Sequence, residues 1–156
     1  MTTTTHSETD VILAMQDPFM DQVIAGTKTY EFRKYRLKPE VKRVWFYRTA
    51  PHSSITHLAE IEPARTRNFK AGDEPLPENG LGNIEFNIRH PAWAGYDYAY
   101  KILTVWELNE HIPLHVMRDK YGFKIAPRRM VYLPTIIEKE VVWDEQRKVL
   151  DVRGKN

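Results

Sequence analysis

The residues best suited to chemistry in this sequence lie in one short segment, residues 26–33, which reads Gly-Thr-Lys-Thr-Tyr-Glu-Phe-Arg. Strand alternation places Glu31 and Arg33 on one face, while Lys28 sits at the mouth of the segment. A carboxylate and a guanidinium at this spacing can hydrogen-bond, which would hold the Arg33 fork rigid. Such a group suits a phosphate or a polarised base carbonyl. A cross-strand ion pair on an exposed sheet face is the alternative reading.

Positive charge is concentrated around this segment. Residues 28–48 contain eight Lys or Arg and two Glu, a net charge of +6, whereas the whole chain carries only +2, so the remainder carries −4. This asymmetry favours a localised anionic partner over a uniformly sticky surface. A solvated strand edge protected by lysines is the alternative explanation.

Composition restricts the remaining function classes. The chain has 156 residues, of which 42% are hydrophobic and 28% charged, as in an ordinary globular domain. It has no cysteine, which excludes disulfides, thiolate zinc sites and cysteine nucleophiles. The Thr-rich start lacks the apolar stretch of a signal peptide, and no apolar run approaches the ~18 residues of a membrane span. We therefore predict a protein of the cytoplasm, or of the nucleus, with no membrane partner.

Regular elements must position the basic segment. The apolar run at residues 10–15 has strand length, and Asp17-Pro18 then predicts a helix start with Asp17 as its cap. Gly26 is the expected end of that helix. Aromatic and β-branched residues predict four strands, over residues 27–35, 41–49, 55–61 and 98–108.

The rest of the chain predicts shorter elements. Residues 63–82 are rich in Pro, Gly, Asn and charge and predict an irregular loop, followed by a short helix at residues 83–89. The other predicted elements are a helix at residues 113–122, a strand at residues 131–133, and a C-terminal hairpin of residues 141–143 and 149–152. Five or six strands with two to four short helices indicate an α+β fold built on a small, curved sheet or barrel.

The order of these features along the chain is itself informative. A strand and a short helix lead to the string Gly-x-Lys-Thr-x-Glu-x-Arg, which is followed by Val41, Val44 and Tyr47 and then by a loop at Pro51. This order resembles the ASCH domain family, a branch of the PUA-like superfamily that also includes YTH and EVE domains. The resemblance covers residues 11–61 and again residues 98–133.

The resemblance implies a domain layout as well as a fold. One PUA-like domain would occupy residues 10–156, with a flexible tail at residues 1–9. The fold would be a small β-barrel of five or six mixed strands with flanking helices. An insertion at about residues 63–96 is not explained by the family core.

The resemblance also implies a cleft beside the first helix, where family members bind RNA or modified nucleosides. The matching positions are Lys28, Glu31 and Arg33, with the turn at residues 15–18 as another wall. Some bacterial relatives are amidohydrolases that act on N4-acylated cytidine with a Lys, a Thr three residues later and a distant Glu. This chain has Glu31 in place of that Thr, and Thr29 would point the other way. The departure argues against the same hydrolysis.

Further residues complete the predicted ligand-binding set. A loop aromatic has little structural reason to exist and is a platform for stacking a base, while an exposed cation can clamp a phosphate. The turn after the first strand and the basic segment each contribute a charged residue. These additional residues are Trp93, Tyr96, Arg128, Arg48 and Asp17.

The histidines do not predict a metal site. His52 and His57 are five residues apart, and His111 and His115 are four apart, but neither pair has a third ligand at helical spacing. No glycine-rich phosphate loop is present. We therefore predict neither a metal nor a cofactor.

Three functions remain, in different classes. The first is binding of RNA, single-stranded nucleic acid or a nucleotide-like small molecule, with Lys28 and Arg33 on phosphate or base carbonyl and Glu31 orienting Arg33. The alternative is a hydrolase of a modified nucleoside or of RNA, with Lys28 as a general base of lowered pKa and Glu31 or Glu60 as the acid partner. The third is a protein-interaction adaptor that uses the insertion. No oligomeric state is predicted.

Overall fold

The computed structural model describes residues 5–154, and across them a mixed, curled sheet of seven strands packs with four short α-helices. The strands are β1 (His6–Met15), β2 (Tyr30–Arg33), β3 (Arg43–Arg48), β4 (Ser54–Ile61), β5 (Tyr98–Pro113), β6 (Met130–Pro134) and β7 (Arg147–Asp151). The helices are α1 (Phe19–Ala25), α2 (Asn83–Asn87), α3 (Leu114–Tyr121) and α4 (Thr135–Glu140). The predicted small α+β barrel is confirmed.

The sheet curls because one long strand serves several partners. The strand order is β2-β5-β4-β3-β1-β6, and β7 also pairs with β5. Strands β1 and β3 are parallel, and the other pairs are antiparallel. The register between β4 and β5 is interrupted twice, and such irregularities bend a strand and increase its twist. The 16-residue strand β5 can therefore pair with β2 at its start and with β4 and β7 further along.

The sheet is covered on both faces, which explains the continuous apolar run in β1. Val11 and Leu13 lie in one buried cluster with Val44 and Phe46, whereas Ile12 lies in a second cluster on the other face. A strand that is buried on both faces reads as an uninterrupted hydrophobic run, not as an alternation. The first helix and β7 lie on the side of the first cluster, where Met20, Val23 and Leu150 pack.

Three predictions about elements are wrong. Strand β1 begins at His6, so residues 6–9 of the predicted tail belong to the sheet. Residues 1–4 of that tail lie outside the described residues. Helix α1 begins at Phe19, and Asp17 makes no capping hydrogen bond because its carboxylate contacts Arg48 and His52 instead. No C-terminal hairpin forms, because β7 pairs with β5 through register partners such as Val105 and Leu150.

The insertion is packed against the barrel instead of lying loosely on its surface. It contains α2 and two single-turn 3-10 helices, Phe69–Ala71 and Pro91–Trp93. Its residues Leu76 and Phe86 form a third buried cluster with Tyr30 and Phe32 of β2. The insertion therefore forms a wall beside the basic strand. No helix of residues 5–154 is long and apolar enough to cross a membrane.

Candidate functional site

A pocket of about 580 Å³ opens where the end of β1, the strand β2 and the insertion meet. We call it the first pocket. Cationic, acidic and aromatic side chains share its surface. It is lined by Ala14, Met15, Gln16, Phe19, Lys28, Glu31, Phe32, Arg33, Thr49, Ala92, Trp93, Tyr96 and Arg129. It therefore brings together the three residues of the basic string and two aromatic residues predicted from the loop.

The turn from α1 into β2 delivers Lys28 to this pocket. Gly26 ends the helix with φ at 79°, a left-handed conformation that glycine adopts without steric cost. The backbone N–H groups of Thr27 and Lys28 both donate to the carbonyl of Gln22 at 3.1 Å. These bonds turn the chain at the end of the helix, so that Lys28, two residues before β2, lies near the Phe19 ring.

Lys28 is buried in aromatic surroundings, not placed at the mouth as the sequence predicts. It is 8% exposed, and its Nζ lies 4.6 Å from the ring centre of Phe32 and 5.8 Å from that of Phe19. It forms no ion pair within 4 Å with any residue of the described range. Burial lowers the pKa of Lys28 below its ordinary value, Glu31 opposes this change, and Arg33 adds to it.

Glu31 and Arg33 form the hydrogen bond that strand alternation predicts. Arg33 Nε donates to Glu31 Oε1 at 2.9 Å, and Arg33 Nη2 donates to the carbonyl of Ala14 at 2.9 Å. The side chains are 6% and 14% exposed for Glu31 and Arg33. Burial is the largest single influence on Arg33 and acts to lower its pKa, but Glu31 and Tyr35 together outweigh burial and the pKa is raised. Arg33 is therefore a permanent cation tied to both β1 and Glu31.

One oxygen of this ion pair is left over. Glu31 Oε2 is buried and has no hydrogen-bond partner within residues 5–154. A buried carboxylate oxygen without a donor is energetically unfavourable, and such groups in native structures point to a missing partner. Because Glu31 lines the first pocket, a ligand whose N–H or O–H group displaces the atoms that cover Oε2 can supply that donor.

Aromatic residues of the insertion close the opposite side of the pocket. Trp93 meets Phe32 edge-to-face with ring centres 5.0 Å apart, and Tyr96 meets Trp93 at 6.2 Å. This packing requires a glycine at position 82, where a Cβ atom would lie 2.3 Å from Trp93 Cη2. Trp93 and Tyr96 thus present ring surface to the same space as Lys28 and Glu31.

Four predicted site residues lie outside the lining of the first pocket. Arg48 donates to Asp17 at 2.7 Å and to Asp21 at 3.1 Å, so their charges satisfy one another outside the pocket lining. Glu60 accepts a hydrogen bond from Thr104 Oγ1 at 2.8 Å and does not line the first pocket with Lys28.

The fourth such residue is Arg128. Its neighbour Arg129 lines the first pocket instead. Arg129 has φ at 53°. Its carbonyl accepts a hydrogen bond from the backbone N–H of Ala14 at 3.2 Å, which holds Arg129 beside the end of β1. The sequence shows two adjacent arginines after Pro127, and only the backbone conformation distinguishes which one faces the pocket.

Phe19 is a pocket residue that the sequence does not single out. It is 46% exposed and lies in the pocket wall, whereas its neighbour Met20 is fully buried. The available signal is its position directly after Pro18 at the start of α1, ahead of the residues that pack in the core. Thr49 is a second such residue, positioned by the bond from its N–H to the carbonyl of Met15 at 3.0 Å.

The chemistry available in the first pocket is recognition of a flat, polar, partly anionic molecule. Lys28 offers donors, Glu31 Oε2 offers an acceptor, and the aromatic rings offer faces for stacking. Within residues 5–154, no group of three His, Asp or Glu side chains is arranged to hold a metal ion.

Comparisons with known proteins identify the fold. No family model matches the chain, and no curated protein matches it. Solved structures do match. ASCH from Zymomonas mobilis has a TM-score of 0.54 and 18% identity, covering 90% of this chain and 97% of that one. Two point mutants of the same protein have TM-scores of 0.59 and 0.53, each with 17% identity, covering 90% and 86% of this chain and 99% and 97% of theirs. The chain therefore has the fold of an ASCH domain.

Proposed function

We propose that the chain binds a nucleotide-like ligand in the first pocket, in the form of RNA, single-stranded nucleic acid or a modified nucleoside. The observation that carries the proposal is the presence in one pocket of a cation without a counter-ion and a carboxylate oxygen without a hydrogen-bond partner. Lys28 Nζ has no ion pair, and Glu31 Oε2 has no hydrogen-bond partner, within the described residues. A nucleobase edge carries acceptors and donors side by side and can satisfy both.

Energetics favour a ligand over an empty site. Burying a cation or a carboxylate oxygen without partners is costly, typically by several kcal/mol for a charge. The ion pair of Glu31 with Arg33 satisfies only part of this demand, since one oxygen stays free. A protein that retains such groups in a pocket commonly uses them for binding or catalysis.

The dimensions and walls of the first pocket support the same ligand class. Its volume of about 580 Å³ lies within the usual range of small-molecule sites. Trp93, Tyr96 and Phe19 provide ring surface, and stacking on aromatic side chains is the common mode by which proteins hold unpaired bases. Arg129 at the rim offers a charge for the phosphate.

In this arrangement the roles of Glu31 and Arg33 differ from those expected from the sequence. Arg33 is already engaged with Glu31 and Ala14, so it orients Glu31 instead of being oriented by it. Lys28 and Glu31 would contact the base, and Arg129 the phosphate. An ASCH-type fold is compatible with nucleic-acid binding, and such a ligand would place the protein in the cytoplasm or the nucleus.

A hydrolase of the same ligand class is the second candidate, and the lowered pKa of Lys28 favours it. A lysine whose pKa is depressed by burial serves as a general base. Glu31 is the acidic group in the same pocket, and it would act as the acid partner. The two candidates share a site and differ in turnover.

Calorimetry with the ribonucleoside 5′-monophosphates and with short single-stranded RNA tests the proposal. We expect saturable binding that is reduced at least tenfold in Lys28→Ala and unchanged in Lys38→Ala, an exposed lysine of the same basic segment. Equal affinities of the two variants would place the ligand elsewhere. Product formation from RNA or from acylated nucleosides, detected by chromatography and lost in Lys28→Ala, would establish the hydrolase instead.

A further inference from the structure

A second pocket, of about 530 Å³, lies on the insertion. Its lining combines three cationic side chains with one acidic side chain and two aromatic rings. The lining residues are Thr66, Arg67, Asn68, Phe69, Lys70, Arg89, Asp97 and Tyr98. None of them belongs to the first pocket. Apart from Tyr98, none lies in residues 11–61 or 98–133, which resemble the ASCH family.

The two pockets are neighbours on one short stretch of chain. Tyr96 lines the first pocket, and Asp97 and Tyr98 line the second. Consecutive Cα atoms are about 3.8 Å apart, so the walls of the two pockets meet at Tyr96 and Asp97. A ligand longer than one nucleotide is the kind that would contact both walls.

Arg67 forms the rigid base of the second pocket. Its side chain is 5% exposed, and its Nη1 donates to the carbonyl oxygens of Phe86 at 3.0 Å and Tyr96 at 3.3 Å. Its Nη2 donates to the carboxylate of Asp97, which is itself half exposed. Arg67 Nε has no hydrogen-bond partner within residues 5–154. A buried guanidinium is therefore balanced here by one solvated carboxylate.

Two more cations at the rim have no counter-ion. Lys70 and Arg89 are exposed, and neither forms an ion pair within 4 Å with any residue of the described range. The lining therefore carries a net charge of +2 from three cations and Asp97. Asp73 lies nearby, but its carboxylate is held by Thr66 and by the backbone N–H of Asn68, which lower its pKa, and Arg65 and Arg36 offset its charge.

Aromatic surface accompanies this charge. Phe69 is 46% exposed and lies next to Lys70 in the chain, and both line the pocket together with Tyr98. Cationic side chains interleaved with rings are the arrangement by which proteins track single-stranded nucleic acids, with cations on the backbone and rings on the bases. An isolated inorganic anion would gain no favourable contact from the aromatic rings.

We propose that the second pocket is a phosphate subsite that holds the backbone phosphate of the nucleotide next to the one in the first pocket. The inference rests on the proposed function, because it takes the first pocket as the place where the strand is anchored. Lys70 and Arg89 contact the phosphate, and Arg67, paired with Asp97, forms the rigid base beneath them. Phe69 stacks on the adjacent base.

The test uses the double variant Lys70→Ala with Arg89→Asn, which spares the structural Arg67. Asn is chosen for position 89 because φ is 55° there and Asn tolerates that conformation. Fluorescence anisotropy with labelled RNA tetranucleotides and NMR titration with nucleoside 5′-monophosphates are compared for this variant, the wild type and Lys38→Ala. The salt dependence of tetranucleotide binding is recorded as well.

We expect the double variant to bind tetranucleotides about tenfold more weakly at low salt, with the slope of log K against log salt shallower by about 1.4, as for two lost single-strand phosphate contacts. Its affinity for monophosphates is expected to stay at the wild-type value. A tetranucleotide affinity and slope equal to those of Lys38→Ala would overturn the inference. So would binding of inorganic phosphate at Lys70 and Arg89 without any binding of tetranucleotide, which identifies a free-anion site.

Failure of the proposed function has a separate signature. In that case monophosphates leave the amide signals of Lys28 and Glu31 unmoved in the wild type. If the double variant still binds tetranucleotides more weakly than the wild type, the phosphate contacts of Lys70 and Arg89 are supported. The anchoring of the strand in the first pocket is then contradicted.

Discussion

Arg33 donates from Nε to Oε1 of Glu31 at 2.9 Å, and this bond leaves Oε2 as a fixed and unsatisfied acceptor in the first pocket. The second bond of Arg33, to the carbonyl of Ala14, fastens the pair to the end of β1. The ion pair therefore serves two purposes. It joins β2 to β1 although the two strands are not neighbours in the sheet, and it holds a carboxylate ready for a ligand.

Removing Arg33 is expected to destabilise the fold strongly. In Arg33→Met the buried Glu31 carboxylate loses its counter-ion, so we expect the free energy of unfolding to fall by about 3 kcal/mol in urea denaturation. The double variant Arg33→Met with Glu31→Gln should recover part of that loss. Lys120→Ala is the matched control, because it breaks an exposed pair with Glu140 and should cost less than about 1 kcal/mol. Equal losses of unfolding free energy in Arg33→Met and Lys120→Ala would contradict a structural role for Arg33.

Lys28 is expected to lower the free energy of unfolding although it contributes to ligand binding. Its pKa lies below the ordinary 10.5 because it is buried, so the unfolded chain holds the proton more tightly than the folded chain. Stability should therefore rise as pH increases through the folded pKa toward 10.5. Lys28→Met should remove this rise and increase the free energy of unfolding at pH 7 by about 1 kcal/mol.

Urea denaturation at pH 7 and at pH 10 measures both effects. Lys38→Met is the control, since Lys38 is exposed and its replacement should change stability by no more than about 0.5 kcal/mol. A loss of stability in Lys28→Met at pH 7 would show that the ammonium group has a partner in the folded protein.

His57 is expected to set the acid sensitivity of the fold. Burial lowers its pKa from 6.5 to about 4, with Glu107 opposing this change and Arg48 and His111 adding to it. The stabilisation is complete above pH 6.5 and is lost as pH falls from 6.5 through 4, because the unfolded chain binds the proton first. Its full size is about 3 kcal/mol.

Unfolding free energies recorded between pH 7 and pH 4 test this expectation. His57→Gln should flatten the curve over that interval, while His115→Gln, at an exposed position, should leave it unchanged. An unaltered curve in His57→Gln would assign the acid sensitivity to other groups.

Gly82 is expected to control the aromatic wall of the first pocket. A Cβ atom there would meet Trp93 at 2.3 Å and Phe32 at 3.0 Å, so Gly82→Ala should displace the Trp93 ring. Gly122→Ala is a close control, because φ is 77° there against 84° at Gly82 but the surrounding space is open. Both variants carry the backbone strain, about 1 kcal/mol.

The difference between the two glycine variants isolates the clash. We expect Gly82→Ala to lose about 1–3 kcal/mol more than Gly122→Ala in urea denaturation, to change the near-ultraviolet circular dichroism of Trp93, and to weaken nucleotide binding. The same stability and spectrum in both variants would mean that Trp93 is not held by this contact.

Arg129 and Arg128 are expected to differ in their effect on nucleotide binding. Arg129 lines the first pocket and Arg128 does not, so Arg129→Asn should reduce the affinity for nucleoside 5′-monophosphates several-fold. Asn suits the φ of 53° at position 129. Arg128→Asn should bind like the wild type in calorimetry. A larger loss in Arg128→Asn would reverse the assignment of the phosphate contact.

The sequence determined the local arrangement of the candidate site. Alternation along a strand is a property of two neighbouring peptide units, so the contact between Glu31 and Arg33 followed from their spacing. The end of α1 at Gly26 followed in the same way, because only a residue free to adopt positive φ ends a helix in that manner. The order of strand, helix and basic string was also enough to indicate the ASCH-type fold.

Only the tertiary structure decided which distant groups share the pocket. Arg48 and Asp17 belong to the same stretches as true pocket residues, yet they neutralise each other outside it, and Arg129 takes the place predicted for Arg128. Lys28 is buried beside the Phe19 and Phe32 rings, a fact that depends on where the tertiary structure places the start of α1 and the strand β2. Burial, charge compensation and the choice between adjacent residues arise from long-range packing, which residue spacing along the chain does not encode.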